Sequence, residues 1–369
     1  MRIVFNTDQV SLHGGIEKVM AIKANYWASI PGYEVYIVTT EQSSNPPCYE
    51  LDSRIKMIDL GVNYNRSISY FSGSNLKKSW LHFKRQKELF NQLRPDVIIS
   101  PNFNFDHYWL PFIKKKSILI KERHGSRFYE EEQSQSFFNK IKTSLLDWVE
   151  SKYNYIVVLN EDEKKYVRTS NAVTIPNPIE PQEYTAALEN TKVIAAGRIS
   201  PVKNFEHLIY AWSVVHKSFP NWTLDIYGEN YLGTQEELEK LLKDLQLKSV
   251  VHFQGSIDDM PKKMSEYSIY AMTSHTECFP MVLLEALSVG LPVVSYDCPN
   301  GPRHIITKNQ DGLLVENQNP NALANGLIEL MENPEKRKGL GESAKINSQR
   351  FYTTMVMRKW QTLLTLSHV

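Results

Sequence analysis

Two acids eight positions apart frame the segment Ser274-His275-Thr276-Glu277-Cys278-Phe279-Pro280-Met281-Val282-Leu283-Leu284-Glu285-Ala286. Pro280 suits the first turn of a helix, because an N–H there would lack an intrahelical partner anyway, and Gly290 and Pro292 stop the helix soon after Glu285. Glu277 is thus expected on a loop beside a positive helix end. The amides of Met281 and Val282 would point at an anion placed there, and the two carboxylates could accept hydrogen bonds from hydroxyls on either side of it. A phosphate flanked by two polyols is a nucleotide sugar. Taken in isolation, such a pair is more often a solvated acid before a core helix with a second acid on its polar face.

Other segments supply the complementary charge. Gly197-Arg198-Ile199-Ser200-Pro201-Val202-Lys203-Asn204 follows an apolar run and precedes a helical stretch for which Asn204 is the expected N-cap. Arg198 and Lys203 are thereby delivered to the carboxyl edge of a parallel sheet, where open α/β sheets bind ligands. Arginine grips two phosphate oxygens in one plane and lysine adds a point charge, so the two could neutralise a pyrophosphate without a metal. No Asp-x-Asp triplet argues for a metal. An arginine and a lysine in a loop are otherwise ordinary surface charges. His13-Gly14-Gly15-Ile16-Glu17 opens the first helix, and its glycines would let backbone amides approach a phosphate or a sugar ring, although a Gly-Gly pair alone often means only a tight turn. Gly-x-Gly-x-x-Gly occurs nowhere, which removes the main support for a nicotinamide dehydrogenase. Lys121-Glu122-Arg123-His124-Gly125-Ser126 follows another apolar run, placing His124 at the carboxyl edge of its sheet, where it could bond a sugar hydroxyl. Asp225-Ile226-Tyr227-Gly228-Glu229 and Gln254-Gly255-Ser256-Ile257 end further runs, so the backbones around Gly228 and Ile257 could frame a base.

The elements that must position these groups alternate almost from end to end, short apolar runs with amphipathic stretches, which is the pattern of α/β domains with parallel sheets. Strands are expected at 2–6, 34–38, 55–59, 97–100, 117–121 and 155–159, then at 192–196, 223–227, 250–253, 269–272, 292–296 and 312–315. Helices are expected at 15–29, 76–93, 139–152 and 205–217, and a capping box, Thr234-Gln235-Glu236-Glu237, should open another. Three prolines within Ile175-Pro176-Asn177-Pro178-Ile179-Glu180-Pro181 favour an extended connector, so the domain boundary is expected there. The chain has 369 residues, too many for one average domain, and 42% of them are hydrophobic, ordinary for a globular protein.

Net charge is only +1, so nothing suggests a nucleic-acid partner. Lys77, Lys78, Lys84, Arg85 and Lys87 interleave with Trp80, Leu81, Phe83, Leu89 and Phe90, and Lys114, Lys115 and Lys116 follow an apolar patch, a surface that suits either anionic lipid or plain solvent. Cys48, Cys278 and Cys298 show neither a disulfide framework nor zinc spacing, which fits a reducing compartment. The first residues hold too short an apolar run for a signal peptide, and no later run approaches a membrane span. A soluble or peripheral cytoplasmic protein is expected, in the second case at the inner face of the membrane.

In their order, these segments resemble the retaining glycosyltransferases of glycosyltransferase family 4. The likeness runs from Gly14-Gly15-Ile16-Glu17 through Gly197-Arg198, Lys203-Asn204, Tyr227-Gly228-Glu229, Glu277 and Glu285 to Gly290-Leu291-Pro292-Val293-Val294 and Asn309-Gln310-Asp311-Gly312-Leu313-Leu314-Val315. It covers nearly the whole chain, densely in the second half. The resemblance implies the GT-B fold: α/β, with two Rossmann-like parallel-sheet domains facing across a cleft. Residues 1–178 would bind the acceptor, residues 179–350 would bind the nucleotide sugar, and residues 351–369 would form a helix packing back on the first domain. It further implies that Arg198 and Lys203 bind the pyrophosphate, with Gly14 and Gly15 approaching it. Glu285 would hold the ribose, Glu277 the donor sugar, and His124 a hydroxyl near its C6. Phe279, Pro280, Met281 and Val282 would line the sugar pocket. The activity implied is metal-independent, retaining transfer of a hexose or N-acetylhexosamine from a UDP-sugar to a glycan acceptor. Ser295-Tyr296-Asp297-Cys298-Pro299-Asn300-Gly301-Pro302 is similar to bacterial enzymes of lipid-linked capsule and exopolysaccharide assembly, although His304 stands where many carry an acid. Competing expectations are a nucleotide-sugar epimerase of the same architecture, a two-lobed sugar-binding protein, and a glycoside hydrolase, whose two carboxylates would have to flank a scissile bond.

Overall fold

A computed structural model describes residues 1–128 and 137–366. The chain divides into two compact units, Met1–Pro178 with Val356–Val369, and Ile179–Met355. Among the described residues, the first unit holds seven strands: β1 (Arg2–Asn6), β2 (Glu34–Thr39), β3 (Lys56–Asp59), β4 (Val97–Ser100), β5 (Ile118–Arg123), β6 (Tyr155–Val158) and β7 (Ala172–Thr174). They lie in the order β3-β2-β1-β4-β5-β6-β7, parallel throughout. The second unit repeats the plan with six: β8 (Lys192–Ala196), β9 (Thr223–Tyr227), β10 (Val251–Gly255), β11 (Ile269–Met272), β12 (Val293–Tyr296) and β13 (Gly312–Val315). Their order is β10-β9-β8-β11-β12-β13, again parallel. These are the two parallel α/β sheets of the GT-B fold.

Strands in such sheets are buried on both faces, which explains their unbroken apolar runs. The period of two then sorts neighbouring residues to opposite cores. Ile3, Phe5, Val35, Ile37, Val97, Ile99, Ile118 and Ile120 form one core, while Val4, Tyr36, Val38, Ile98 and Leu119 form the other. The helix Gly15–Ser29 covers the first of these through Met20, Ala24 and Trp27. The helix Thr353–Leu366 joins the same core through Val356, Met357, Trp360, Leu363 and Leu364, with the Trp27 and Trp360 rings edge to face at 5.8 Å.

Four local expectations change. Strand β5 runs two residues beyond its expected end at 121, so Glu122 and Arg123 join Lys121 as buried ladder residues rather than opening a loop. Their charges had suggested that the strand stopped, yet each has a polar partner inside: Asn102 O for Lys121, Lys23 for Glu122 and Glu150 for Arg123. The helix Thr234–Asp244 is capped by Gly233 in a left-handed conformation with no side-chain cap. Its expected capping box does not form, because Thr234 Oγ1 donates to Tyr231 O and Glu236 accepts from Asn230. Asn204 does precede the helix Phe205–Ser218, but at φ 50° its side chain donates to Gln318 instead of capping. Pro280 is the N-cap of the helix Met281–Ser288, not its first residue.

Replacing Trp360 by alanine should lower the stability of the first unit by about 3–5 kcal/mol, the usual cost of emptying a buried tryptophan site. Urea denaturation followed by circular dichroism checks this. An unmoved transition would mean that the helix contributes little to that core.

Candidate active site

In the second sheet the strand order reverses between β8 and β11, so the loops leaving these neighbours diverge from one point at the carboxyl edge. One loop is Gly197–Asn204 and the other is Thr273–Pro280. Backbone and side chain stitch them together. His275 N donates to Val202 O at 2.8 Å, and Thr273 Oγ1 donates to Lys203 O at 3.0 Å. Lys203 Nζ then donates to Glu277 Oε1 at 2.5 Å, and Ser274 Oγ donates to the same oxygen at 2.6 Å. The Lys203 and Glu277 side chains are 20% and 14% exposed, enough for a ligand to reach them and dry enough to strengthen the pair.

Glycines make this geometry possible. Gly228 has φ 153°, and a Cβ there would fall 2.0 Å from Gly197 O. Gly197 has φ 148°, and a Cβ would press on Lys203 Cε at 2.9 Å. Gly301 lies against Glu277, whose carbonyl oxygen would be 2.9 Å from an added Cβ. Glu277 N in turn donates to Pro299 O. The Gly301-Pro302 pair thus supports the acid from behind.

Arg198 is exposed, with its guanidinium 4.9 Å from the centroid of the Tyr231 ring. Glu285 is buried in the helix Met281–Ser288. Burial raises the pKa of Tyr270, whose hydroxyl donates to Ala196 O, and the Glu277 and Glu285 carboxylates both push it further up, so the two acids share this neighbour. Burial, reinforced by Glu277, also raises the Cys298 thiol. Phe279 and Met281 are buried, and the Phe279 ring packs edge to face on Phe351 at 5.5 Å. Pro280 is buried, while Val282 and Ile257 are half-buried. Gly255, at φ 73°, accepts a bond from Gly228 N at 2.8 Å and so ties the segment before Ile257 to Gly228. Ser274, Thr273, Gly301 and Tyr231 were missed in the sequence. Only the proximity of Ser274 to Glu277 could have signalled any of them.

The first unit has its own reversal, between β1 and β4. There Asn6 Nδ2 donates to Asp106 Oδ2 at 2.6 Å, Asn102 Nδ2 to Thr7 Oγ1 at 2.9 Å, and Asn104 Nδ2 to Asp8 Oδ1 at 2.6 Å. Arg66 bridges Asp8 and Glu41 while its guanidinium lies 5.7 Å from the Tyr70 centroid. Gly14 caps the helix Gly15–Ser29 in extended conformation, and a Cβ there would fall 2.1 Å from Glu17 Oε2. His124 follows β5, its Nε2 3.4 Å from Glu122 Oε2. Elsewhere on this unit, Trp80, Phe112, Leu145 and Trp148 are exposed. Lysines accompany the aromatics: Lys84 lies by Trp80, Lys87 by Phe83 and Lys152 by Trp148. Among the described residues, no group of three or more His, Cys, Asp and Glu side chains could hold a metal, and no helix is long and apolar enough to cross a membrane.

Comparison with known proteins gives this arrangement its class. Residues 177–347 match Glycosyl transferases group 1, and residues 13–183 match Glycosyltransferase Family 4. The chain is a glycosyltransferase of the GT-B type. An uncharacterized glycosyltransferase of Haemophilus influenzae is 27% identical over 98% of this chain and 99% of its own. An N-acetylgalactosamine-N,N'-diacetylbacillosaminyl-diphospho-undecaprenol 4-alpha-N-acetylgalactosaminyltransferase of Campylobacter jejuni is 30% identical over 51% of this chain and 50% of its own. Among solved structures, Anabaena Alr3699/HepE in complex with UDP-glucose superposes with TM-score 0.77 at 19% identity, covering 100% of both chains.

Asp8 provides a test of the first unit's polar cluster. Burial lifts its carboxyl from 3.8 to about 6, against the opposing pull of Arg66. A folded-state pKa above the unfolded one means that the native state binds the extra proton, so this group's contribution to stability is full below pH 3.8 and is lost as pH rises through about 6. Asp8→Asn, which mimics the protonated carboxyl, should flatten that part of the stability profile between about pH 4 and 6, matching the parent protein at low pH and exceeding it above about pH 6. Urea midpoints across the range, compared with the parent protein, decide it.

Proposed function

We propose that this glycosyltransferase moves a hexose or N-acetylhexosamine from a UDP-sugar to a hydroxyl of a lipid-linked glycan acceptor, with retained configuration, in the synthesis of bacterial surface polysaccharide or glycoconjugate. The observation that carries the proposal is the contact between Lys203 and Glu277 at the β8/β11 reversal, a cation and a hydroxyl acceptor side by side beside a helix N-terminus. A nucleotide sugar presents the same two groups in sequence, a diphosphate and then a polyol. Lys203 and Arg198 take the diphosphate, and Glu277 takes hydroxyls of the sugar. Glu285 takes the ribose. The solved structure of similar fold with UDP-glucose bound, that of Anabaena HepE, supports the choice of uridine.

In the proposed reaction the bond between the anomeric carbon and the diphosphate oxygen breaks, and its electron pair leaves with UDP. The acceptor oxygen bonds to the anomeric carbon from the same face, and its proton passes to the departing diphosphate. The main demand on the protein is then to stabilise negative charge on the leaving group, which paired cations and helix amides do without a strong base. Glu277 recognises the sugar and is no nucleophile. No metal has a part in this scheme. The first unit takes the acceptor at its polar reversal point, around Asp8, Arg66 and Asn104. Its exposed tryptophans with flanking lysines suit the surface of an anionic membrane, where a lipid-linked acceptor resides, and the undecaprenol-linked substrate of the Campylobacter relative points the same way.

A panel of UDP- and GDP-sugars, assayed for nucleotide release with and without acceptor glycans, identifies the donor. With that donor, Lys203→Ala or Arg198→Ala should reduce kcat by about a hundredfold, within the range for loss of one group that stabilises developing charge. An unchanged rate in either variant would sink its pyrophosphate role. Glu285→Ala should weaken UDP binding roughly tenfold or more, the scale of a lost charge-assisted hydrogen bond. Equal UDP affinity by calorimetry contradicts the ribose assignment.

A further inference from the structure

One chain of charged groups in the first unit has no part in the scheme above. Lys23 lies in the helix Gly15–Ser29, and its side chain is 1% exposed. Its Nζ bonds Glu122 Oε1 on β5, a carboxylate 2% exposed. The other oxygen of that carboxylate, Oε2, lies 3.4 Å from His124 Nε2. Two rings close around the ammonium, Trp360 at 4.8 Å and Phe5 at 5.7 Å from their centroids. A buried ion pair costs heavily in desolvation, and apolar residues of similar size often stabilise a core as well or better. Stability alone is therefore a weak reason for this pair. What the pair does provide is a carboxylate with one oxygen engaged by the lysine and the other turned to a histidine ring.

We propose that Glu122 is a positioning residue for His124, holding its ring through Nε2–H so that the lone pair of the neutral imidazole lies on Nδ1, with Lys23 fixing the carboxylate. The proposal rests on the reading of His124 as a group that meets a hydroxyl of the reacting sugar. A histidine that must accept from a hydroxyl needs a defined tautomer, and the hydrogen bond made by one ring nitrogen sets the state of the other. Carboxylates behind a working imidazole do this in several unrelated sites. The electrostatics agree with the geometry. Burial would raise the Glu122 carboxyl, yet Lys23 and the bond to His124 outweigh it and hold the group at about 2, so it remains an ionised acceptor. The contact of the Lys23 ammonium with the Trp360 ring places the helix Thr353–Leu366 in the same chain of contacts. Sequence reading could not place Lys23 behind Glu122, because the two are ninety-nine positions apart.

The test uses the full chain labelled with 15N-histidine, with ring-nitrogen shifts read by long-range proton–nitrogen spectroscopy and the His124 signals assigned by their loss in His124→Ala. The parent protein should show His124 protonated on Nε2 and unprotonated on Nδ1. In Lys23→Met/Glu122→Leu, which removes both buried charges together, that signature should give way to a mixture of tautomers. Should this variant not fold, Glu122→Asp keeps the charge for Lys23 but withdraws the carboxylate from the ring, and it should show the same mixture. Shifts unchanged in a folded variant overturn the proposal. Nucleotide release adds a second readout. The folded variant should lose kcat roughly tenfold, the lower range for orienting partners, with KM for the donor within about twofold. In a His124→Ala background the same substitutions should cost nothing more. An additional full loss there assigns Glu122 a structural role and overturns the proposal. If His124→Ala itself leaves turnover unchanged while the ring shifts respond as expected, the positioning holds and the functional reading of His124 is what fails.

Discussion

Reversal of strand order in a parallel sheet is the constraint on which this molecule depends. Strands β8 and β11 are neighbours in space but lie seventy-odd residues apart in the chain, and their following loops leave in opposite directions. Only at such a point can side chains from two remote segments meet above a sheet without a third element between them. Lys203 and Glu277 meet there, held by the backbone bond from His275 to Val202 and by the glycines that let Gly197, Gly228 and Gly301 approach their neighbours. The first unit obeys the same rule at β1 and β4. Its reversal point is filled by asparagines and aspartates, so one topology brings a lysine and a glutamate together in one unit and builds an amide–carboxylate network in the other.

The two units also treat buried charge differently. In the second, Lys203 and Glu277 retain access to solvent. In the first, Lys23 with Glu122 and Arg123 with Glu150 are almost fully enclosed, and such pairs are strongly destabilising when one partner is removed. They act as fixed points of geometry. A group that must exchange partners needs solvent access, and a group that must stay still benefits from its absence.

Much of the fold was legible because parallel strands leave continuous apolar runs. The stretches Arg2–Asn6, Val97–Ser100 and Ile269–Met272 could be read directly, and the prolines near residue 176 marked a change of unit. Errors arose where long-range partners override local rules. Lys121, Glu122 and Arg123 looked like the end of a strand, since nothing in the local sequence supplies their partners, which lie on remote elements. Thr234 and Glu236 fit the capping-box pattern, yet Tyr231 and Asn230 compete for their hydrogen bonds and Gly233 supplies the turn. Of the site, Lys203 and Glu277 were visible as residue types after strands, but their contact was not. Gly301 and the environment that raises Asp8 depend on packing that no spacing encodes.

The helix Thr353–Leu366 has a consequence for how the protein comes into being. Trp360 completes the core around Trp27 and covers the Lys23 ammonium, so the first unit is discontinuous in sequence. Domains generally fold as units during synthesis, amino end first. Here the portion made first must wait, with an apolar face uncovered and a buried cation unshielded, while the whole of the second unit emerges from the ribosome.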